Sequence, residues 1–246
     1  MQKIIILGAT SEIAQQTQRI LAGAGREMLL VGRSPERLEV VAADLQARGA
    51  KHVLTFVSDL ADVAQHPELV ALVTEHFADF DCVLLAYGTL MDQEECRHSV
   101  ELSLQEWQSN FVSAAALLTR FADILEQRRC GCLAVITSVA GDRGRKSNYV
   151  YGAAKGALSL FLQGLRARLH AANVRVLTIK PGPVETPMTV GISRSRTFAD
   201  PASVAQDICR ALEQSSVNIL YTPWYWRYVM ATVKLIPETL FKRLSL

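Results

Sequence analysis

The residues with the clearest chemical potential lie between Ser138 and Lys155, a short stretch that carries a hydroxyl, a phenol and an ammonium. Tyr151 and Lys155 are four residues apart, so a helix would place both side chains on one face. A free tyrosine has a pKa of about 10 and rarely ionises near neutrality, whereas a neighbouring positive charge lowers that pKa. The spacing therefore predicts a phenol that exchanges protons beside an ammonium.

Ser138 follows a run of apolar residues that begins at Cys132 and is typical of a buried strand. We expect its hydroxyl at the carboxyl end of that strand, where open α/β sheets bind ligands. A tyrosine and a lysine at this spacing also occur by chance on helix surfaces. The chemical interpretation therefore depends on the elements that would bring the three side chains together.

Those elements alternate regularly between apolar strand patterns and helical patterns. The predicted strands are Lys3–Leu7, Glu27–Val31, His52–Val57, Cys82–Leu85, Cys132–Ser138, Val174–Ile179 and Val217–Tyr221. The first predicted helix ends near Ala24, and the others span Pro35–Arg48, Glu68–Phe77, Leu104–Glu126, Asn148–Ala171 and Pro201–Gln214. This order predicts an α/β fold with a single Rossmann-type, doubly wound parallel sheet of about seven strands and helices on both faces.

Composition narrows the class of protein. The chain has 246 residues, 50% of them hydrophobic, which suffices for the core of one α/β domain. Its net charge of +2 gives no argument for a nucleic-acid partner. Five cysteines, an odd number without a signal-peptide pattern, indicate reduced thiols and a cytoplasmic location. We expect neither a metal site nor a spanning helix, because no cysteine or histidine set has metal-ligand spacing and no apolar run is long enough.

The Ser138 and Tyr-x-x-x-Lys arrangement, with an asparagine in a central helix and a Pro-Gly pair after a later strand, resembles the short-chain dehydrogenase/reductase family. The resemblance implies an NAD(P)-dependent oxidoreductase that acts on CH–OH or C=O groups. It assigns the catalysis to Asn110, Ser138, Tyr151 and Lys155. In this assignment Tyr151 is the general acid, Ser138 binds the carbonyl oxygen with it, and Lys155 lowers its pKa and holds the nicotinamide ribose. Asn110 organises a water that resupplies the proton.

Gly8 lies between the first strand and the first helix, where a glycine lets the backbone approach a pyrophosphate at the helix N-terminus. The family's turn has two further glycines, which Glu12 and Ala14 replace, although Glu12 also suits the first turn of a helix. The residues that the resemblance assigns to the cofactor are Gly8, Thr10, Ser11, Glu12, Ile13, Arg33, Asp59, Leu60, Ala86, Tyr87, Gly88, Tyr151, Lys155, Pro181, Gly182, Val184 and Thr186.

Arg33 follows the second strand, at the position where a carboxylate would bind the ribose hydroxyls of NAD. An arginine instead suits the 2′-phosphate of NADP and stacks on adenine. The sequence therefore favours NADP(H) over NAD(H), against the alternative that Arg33 is an ordinary surface residue. A second group of cations lies in the basic loop, residues 141–146, which is either solvated or binds a substrate phosphate through Arg143 and Arg145.

The tail, residues 223–246, places aromatic residues among arginines and lysines, a pattern typical of an amphipathic helix at a membrane surface. An oligomer contact or a wall of the substrate pocket would explain the same pattern. We interpret 1–222 as an NAD(P)-binding Rossmann domain and 223–246 as its amphipathic extension. Residues 187–197 are predicted to form a mobile substrate lid that carries Arg194 and Arg196.

The predicted reaction is the transfer of a hydride from NADPH to a ketone. Within the family the sequence most resembles reductases of keto-sugars linked to a polyprenyl phosphate, which implies a substrate of that class, and the tail and the basic loop both suit one. A generic soluble reductase of 3-oxoacyl thioesters or small ketones would share the catalytic residues and stays an alternative, as do a non-enzymatic NADP sensor and an epimerase acting alone. The resemblance also implies a homodimer or homotetramer, assembled through the helices of Asn110 and Tyr151, and the tail suggests peripheral contact with the inner membrane face.

Overall fold

A seven-stranded parallel sheet is the centre of the protein, which we describe from a computed structural model over residues 1–191, 197–214 and 216–244. The strands are β1 (Lys3–Leu7), β2 (Glu27–Gly32), β3 (His52–Val57), β4 (Cys82–Leu85), β5 (Cys132–Ile136), β6 (Arg175–Pro181) and β7 (Ile219–Thr222). The helices are α1 (Glu12–Gly23), α2 (Pro35–Ala47), α3 (His66–His76), α4 (Gln93–His98), α5 (Val100–Trp107), α6 (Ser113–Arg128), α7 (Tyr149–Leu169), α8 (Pro201–Glu213), α9 (Trp226–Leu235) and α10 (Glu238–Phe241). The predicted α/β fold is confirmed.

Helices cover both faces of the sheet because the strands are apolar on both faces. On one face, Ile5 and Leu7 pack with side chains from α3, α6 and α7. On the other, Ile4 and Ile6 pack with side chains from α1, α2 and α8. The continuous apolar runs of the sequence are therefore the cause of the doubly wound arrangement.

The strand order β3-β2-β1-β4-β5-β6-β7 changes direction between β1 and β4. Ile4 of β1 pairs in parallel with Met28 of β2 on one side and with Cys82 of β4 on the other. Connections leave the sheet in opposite directions from this point, which opens a crevice at the carboxyl ends of the strands. The segments that follow β1, β4, β5 and β6 all begin at this edge, and they include most of the predicted site residues.

The predicted helix from Leu104 to Glu126 is interrupted in the structure. It consists of α5, a π-helical turn at Gln108–Val112, and α6. The α5 helix begins earlier than predicted because the Ser99 hydroxyl accepts a hydrogen bond from the Leu102 N–H at 3.2 Å and so caps it. Single π-helical turns inside α-helices often occur at functional sites, and this one contains Asn110.

The tail folds into α9 and α10, which Pro237 separates. Met230 and Phe241 are buried against the rest of the protein, whereas Trp224 and Leu235 are exposed. Across the described ranges, no helix has the length and apolar character needed to cross a membrane. The predicted lid extends over 192–196, and its arginines, Arg194 and Arg196, lie outside the described residues.

Candidate active site

Tyr151 and Lys155 lie in the first two turns of α7, and the Lys155 ammonium is 5.7 Å from the centre of the Tyr151 ring. The segment that follows Ser138 packs directly on the backbone of this helix. A Cβ added to Gly141 would lie 2.6 Å from the backbone nitrogen of Gly156, so a larger residue would push the segment away. This close approach brings Ser138 to Tyr151, and their side chains share a hydrogen bond.

Burial controls the acidity of both groups on α7. It raises the pKa of Tyr151 to about 12, an effect that the hydrogen bond from Ser138 opposes and the negative charge of Glu106 reinforces. Burial also lowers the pKa of Lys155 to about 8, while the Glu106 charge opposes that change. The pKa of Tyr151 therefore lies above that of a free tyrosine, against the lowering that the sequence predicted, because desolvation dominates.

Asn110 lies in the π-helical turn and is buried beside the segment that follows β4. Its amide nitrogen donates to the carbonyl oxygens of Thr89 at 3.0 Å and of Glu106 at 3.1 Å, and its Oδ1 accepts from the Thr89 N–H at 3.3 Å. A Cβ added to Gly88 would lie 2.5 Å from that Oδ1 and 3.1 Å from the Lys155 Nζ. Only a glycine at this position lets Asn110 and Lys155 converge.

The turn between β1 and α1 fits a dinucleotide although it lacks two of the family's glycines. Gly8 has φ +87°, and a Cβ there would lie 2.6 Å from the Tyr87 side chain. The Ser11 hydroxyl caps α1 by accepting from the Ala14 N–H at 3.4 Å. The Glu12 carboxylate accepts from Gln16 at 2.9 Å in its own helix, as the structural interpretation of that residue predicts. A close-approaching backbone and a helix N-terminus are what a pyrophosphate requires.

Two arginines lie beside this turn. Arg33 is exposed after β2, and within the ranges that the structure covers its guanidinium has no hydrogen-bond or ion-pair partner. Arg37, which the sequence analysis missed, donates to the Thr10 carbonyl oxygen at 3.1 Å. The signal for Arg37 was its place in the first turn of α2, four residues after Arg33. Their charges suit a phosphate next to the adenosine end of a dinucleotide.

The residues predicted after β3 and β4 differ in how far they face the crevice. Asp59 accepts from the Ala61 N–H at 3.1 Å and so stabilises its own turn, and Leu60 is buried. Tyr87 points away from the crevice, because its hydroxyl lies 2.9 Å from the Ser113 hydroxyl under α6. Burial raises the Tyr87 pKa. The backbone of Tyr87, which lies next to Gly8, borders the predicted cofactor crevice in place of its side chain.

The loop after β6 is covered by the tail. The Gly182 N–H donates to the Thr222 carbonyl at 3.0 Å, and a Cβ on Gly182 would overlap the indole nitrogen of Trp226. That nitrogen is buried and has no hydrogen-bond partner in the described part of the chain. Val184 is buried in the same loop, and Thr186 begins a short helical turn over Pro187–Thr189. Trp226, which the sequence analysis placed only in the amphipathic tail, packs on the loop that is predicted to hold the nicotinamide.

Arg143 does not face the crevice, which corrects its prediction as a phosphate ligand. Its guanidinium donates to the carbonyl oxygens of Val233 at 2.8 Å and Ile236 at 2.6 Å, and it stacks 3.9 Å from the Phe241 ring. The basic loop and the tail are thereby joined. Arg145 differs, because its Nε is buried and has no partner among the described residues. It remains a candidate for binding substrate.

Asp142 anchors the basic loop to the sheet from the other side. Its carboxylate forms a buried ion pair with Lys180 of β6 and accepts from the Tyr221 hydroxyl of β7 at 2.7 Å. Burial raises the Tyr221 pKa, and the hydrogen bond to Asp142 adds to the effect. The middle of the loop between Ser138 and α7 is therefore held on two sides, by the sheet through Asp142 and by the tail through Arg143.

Comparison with known proteins gives a consistent family. Residues 2–197 match the family model described as short chain dehydrogenase. An uncharacterized oxidoreductase of Mycobacterium tuberculosis H37Rv is 36% identical over 242 residues, which cover 98% of this chain and 96% of the relative. An uncharacterized oxidoreductase of Streptomyces coelicolor is 32% identical over 246 residues, which cover 99% of this chain and 96% of that protein.

Solved structures share the fold. A short chain dehydrogenase/reductase family protein is 26% identical with a TM-score of 0.78, over 89% of this chain and 94% of that chain. A short chain dehydrogenase from Burkholderia cenocepacia J2315, in complex with NADP, is 19% identical with a TM-score of 0.83 and 99% coverage of both chains. Levodione reductase is 23% identical with a TM-score of 0.80, over 89% of this chain and 95% of that chain. The last two show a likeness of fold alone.

Proposed function

Because the chain belongs to the short-chain dehydrogenase/reductase family, we propose that it is an NADPH-dependent reductase of ketones. Family membership makes it an NAD(P)-dependent oxidoreductase of CH–OH and C=O groups. The observation that supports the reductase role is the convergence of four side chains at the carboxyl ends of β4 and β5. They are Asn110, Ser138, Tyr151 and Lys155.

The proposed mechanism assigns one task to each of these side chains. When bound, NADPH supplies the hydride that the carbonyl carbon receives. The Ser138 and Tyr151 hydroxyls bind the carbonyl oxygen, and Tyr151 gives it a proton as negative charge develops there. A phenol with a pKa of about 12 keeps its proton at neutral pH and is ready to act as an acid. Lys155 stabilises the phenolate that remains, and Asn110 orders the water that returns the proton.

The cofactor would be held along the carboxyl edge of the sheet. Gly8, Thr10, Ser11 and Ile13 would surround the diphosphate, and Asp59 and Leu60 the adenine. Ala86, Gly88 and the loop from Pro181 to Thr186 would border the nicotinamide half. Arg33, exposed and free of protein partners in the described ranges, supports a preference for the 2′-phosphate of NADPH. Arg37 adds a second cation at the same end.

The substrate that we propose is a keto-sugar linked to a polyprenyl phosphate. The sequence resembles decaprenylphosphoryl-2-keto-ribose reductase in the basic loop and in the tail. Around the crevice, several buried polar atoms have no partner in the described residues, and a substrate rich in hydroxyl groups would supply partners. They belong to Gln93, Glu106, Arg145, Asn148 and Trp226. Arg145 is the cation among them and suits a phosphate.

A generic reductase of 3-oxoacyl thioesters or small ketones is the alternative, because it would use the same four side chains. The two functions differ in what they require of the tail. A lipid-linked substrate gives the exposed aromatic and basic residues of 223–246 a purpose at the inner membrane face, whereas a small substrate requires only that the tail cover Gly182. We propose the first because Trp224 and Leu235 are 72% and 83% exposed beside several cations.

NADPH oxidation tests both functions in one assay. The purified protein is given a short-chain polyprenylphosphoryl 2-keto-pentose, an acetoacetyl thioester, or no substrate, with NADH in place of NADPH as the cofactor control. Turnover of the keto-sugar supports the lipid-linked function, and turnover of the thioester alone contradicts it. A rate with NADH equal to the rate with NADPH would contradict the role proposed for Arg33.

A further inference from the structure

Glu106 is a buried carboxylate that the proposed mechanism does not use. It lies in the last turn of α5, four residues before Asn110, and is 1% exposed. Its Oε2 accepts a hydrogen bond from the Thr89 hydroxyl at 2.6 Å, whereas its Oε1 has no partner in the described part of the chain. A buried carboxylate with an unfilled oxygen is costly unless a nearby positive charge compensates.

Thr89 connects Glu106 to Asn110. Its hydroxyl donates to Glu106 and accepts from the Asn110 amide nitrogen at 3.1 Å, while its backbone binds both ends of the same amide. These contacts decide which way the amide points, because the nitrogen has three acceptors on the Thr89 and Glu106 side. The Asn110 oxygen is consequently turned toward Gly88, next to the Lys155 ammonium.

Two neighbouring helices, α4 and α7, bring titratable side chains near Glu106. Lys155 and Tyr151 belong to α7, and Cys96 belongs to α4; the Glu106 charge acts on all three groups. The Glu106 charge raises the pKa of Lys155 and of Tyr151. Burial raises the pKa of Glu106 itself, and the hydrogen bond from Thr89 and the charge of Lys155 oppose that rise. Glu106 is the one acidic residue whose charge opposes the desolvation of Lys155 among the described residues.

We propose that Glu106 and Thr89 are positioning residues. Thr89 holds the Asn110 amide toward Lys155, and the Glu106 carboxylate is the buried counter-charge of the Lys155 ammonium. The proposal deepens the proposed reductase function and rests on it for its catalytic meaning. Its electrostatic part is a property of the folded chain and holds with or without a ketone substrate. The two can therefore be tested separately.

The test measures the ionisation of Lys155 directly. Protein with ¹³C-labelled lysine is titrated by NMR without cofactor, and the Lys155→Met variant assigns the resonance. In the unmodified protein the midpoint is expected near the Lys155 pKa of about 8. Glu106→Gln keeps the shape of the side chain and removes its charge, so the midpoint falls by about one unit. Glu95→Gln neutralises an exposed carboxylate on neighbouring α4 and leaves the midpoint unchanged.

The catalytic readout is the pH profile of kcat/KM for whichever ketone the protein reduces. Loss of the Glu106 charge lowers the pKa of both Lys155 and Tyr151, so the alkaline limb moves to lower pH in Glu106→Gln. A purely structural role would lower the rate at every pH without moving that limb. Thr89→Ser keeps the hydroxyl and the profile, whereas Thr89→Val lowers kcat about tenfold with little change in the KM for NADPH.

The outcomes distinguish this proposal from the proposed function. An unmoved Lys155 midpoint in Glu106→Gln, with circular dichroism that shows a folded variant, overturns the counter-charge role. Equal kcat in Thr89→Val and Thr89→Ser overturns the positioning role. A shifted midpoint in a protein that reduces no ketone supports the counter-charge and counts against the reductase function alone.

Discussion

At the scale of single residues, Tyr151 provides the sharpest test of the proposed chemistry. Tyr151→Phe removes one hydroxyl and keeps the ring, so we expect a loss of at least about a thousandfold in kcat, since the proposed proton donor is removed. NADPH affinity, measured by fluorescence titration, is expected to stay within a few fold. Tyr149→Phe is the matched control, because Tyr149 is exposed two positions earlier on the same helix. Retained activity in Tyr151→Phe would refute the acid assignment.

Lys155 makes the stability of the protein depend on pH in a defined window. Its pKa is about 8 when folded and 10.5 in its ordinary state, so the unfolded chain holds the proton more tightly. Between pH 8 and pH 10, the unfolding free energy of the unmodified protein therefore rises by about 2 kcal/mol relative to Lys155→Met. Urea unfolding at the two pH values measures this change. Below pH 8 the difference between the two proteins is constant, and a constant difference throughout would contradict the shift.

Local spacing explains why some site residues could be predicted from sequence and others could not. Tyr151 and Lys155 share a helical face whatever surrounds them, so a pattern of four residues suffices to pair them. Glu106 has the sequence context of an ordinary surface glutamate. Its burial arises only when Thr89, from the segment after β4, and Lys155, from α7, pack around it. The pKa shifts of Lys155 and Tyr151 likewise could not be predicted from sequence, because desolvation is a property of tertiary structure.

At the scale of elements, the contact between the basic loop and the tail is the least expected feature. Arg143 fills the role of a C-terminal cap for α9, where carbonyl oxygens lack partners within the helix. Arg143→Met removes these hydrogen bonds and is expected to lower the unfolding free energy by about 2 kcal/mol. The tail should then become sensitive to limited proteolysis and the KM for the ketone should rise, since the tail covers Gly182.

Lys146→Met is the control for the Arg143 variant, because Lys146 is an exposed cation of the same loop. Equal protease sensitivity in the two variants would contradict the cap. The prediction that Arg143 binds phosphate was wrong because a cation in a loop has no visible partner in the sequence until the tail is placed. The seven strands were predicted with boundaries close to those observed, since an apolar run bounded by turn residues is a local signal.

At the scale of the whole molecule, one helix face suggests how copies associate. Leu160 is 68% exposed on α7, and it lies beside Phe111, Ala157 and Phe161 in an apolar surface. We expect this surface to be buried between two copies. Leu160→Asp should convert the oligomer to a monomer, measured by light scattering after size exclusion. Val40→Asp is the control, because Val40 is an exposed residue of α2 on another surface, and it should leave the oligomer intact. A monomeric unmodified protein would contradict this arrangement.

The tail supplies a second apolar surface, and we propose a membrane as its partner because cations lie among its exposed aromatic residues. Trp224, Tyr228 and Leu235 are exposed among cations of the same segment. We expect binding to vesicles that contain anionic lipid, and this binding should weaken as salt rises because the cations contribute.

Replacing Trp224 and Leu235 together by serine should reduce the partition coefficient at least about tenfold, since each inserts apolar surface into the interface. Val40→Ser is the control in co-sedimentation. Equal binding to neutral and anionic vesicles would contradict the contribution of the cations. No binding to either would assign the tail to covering the active site alone.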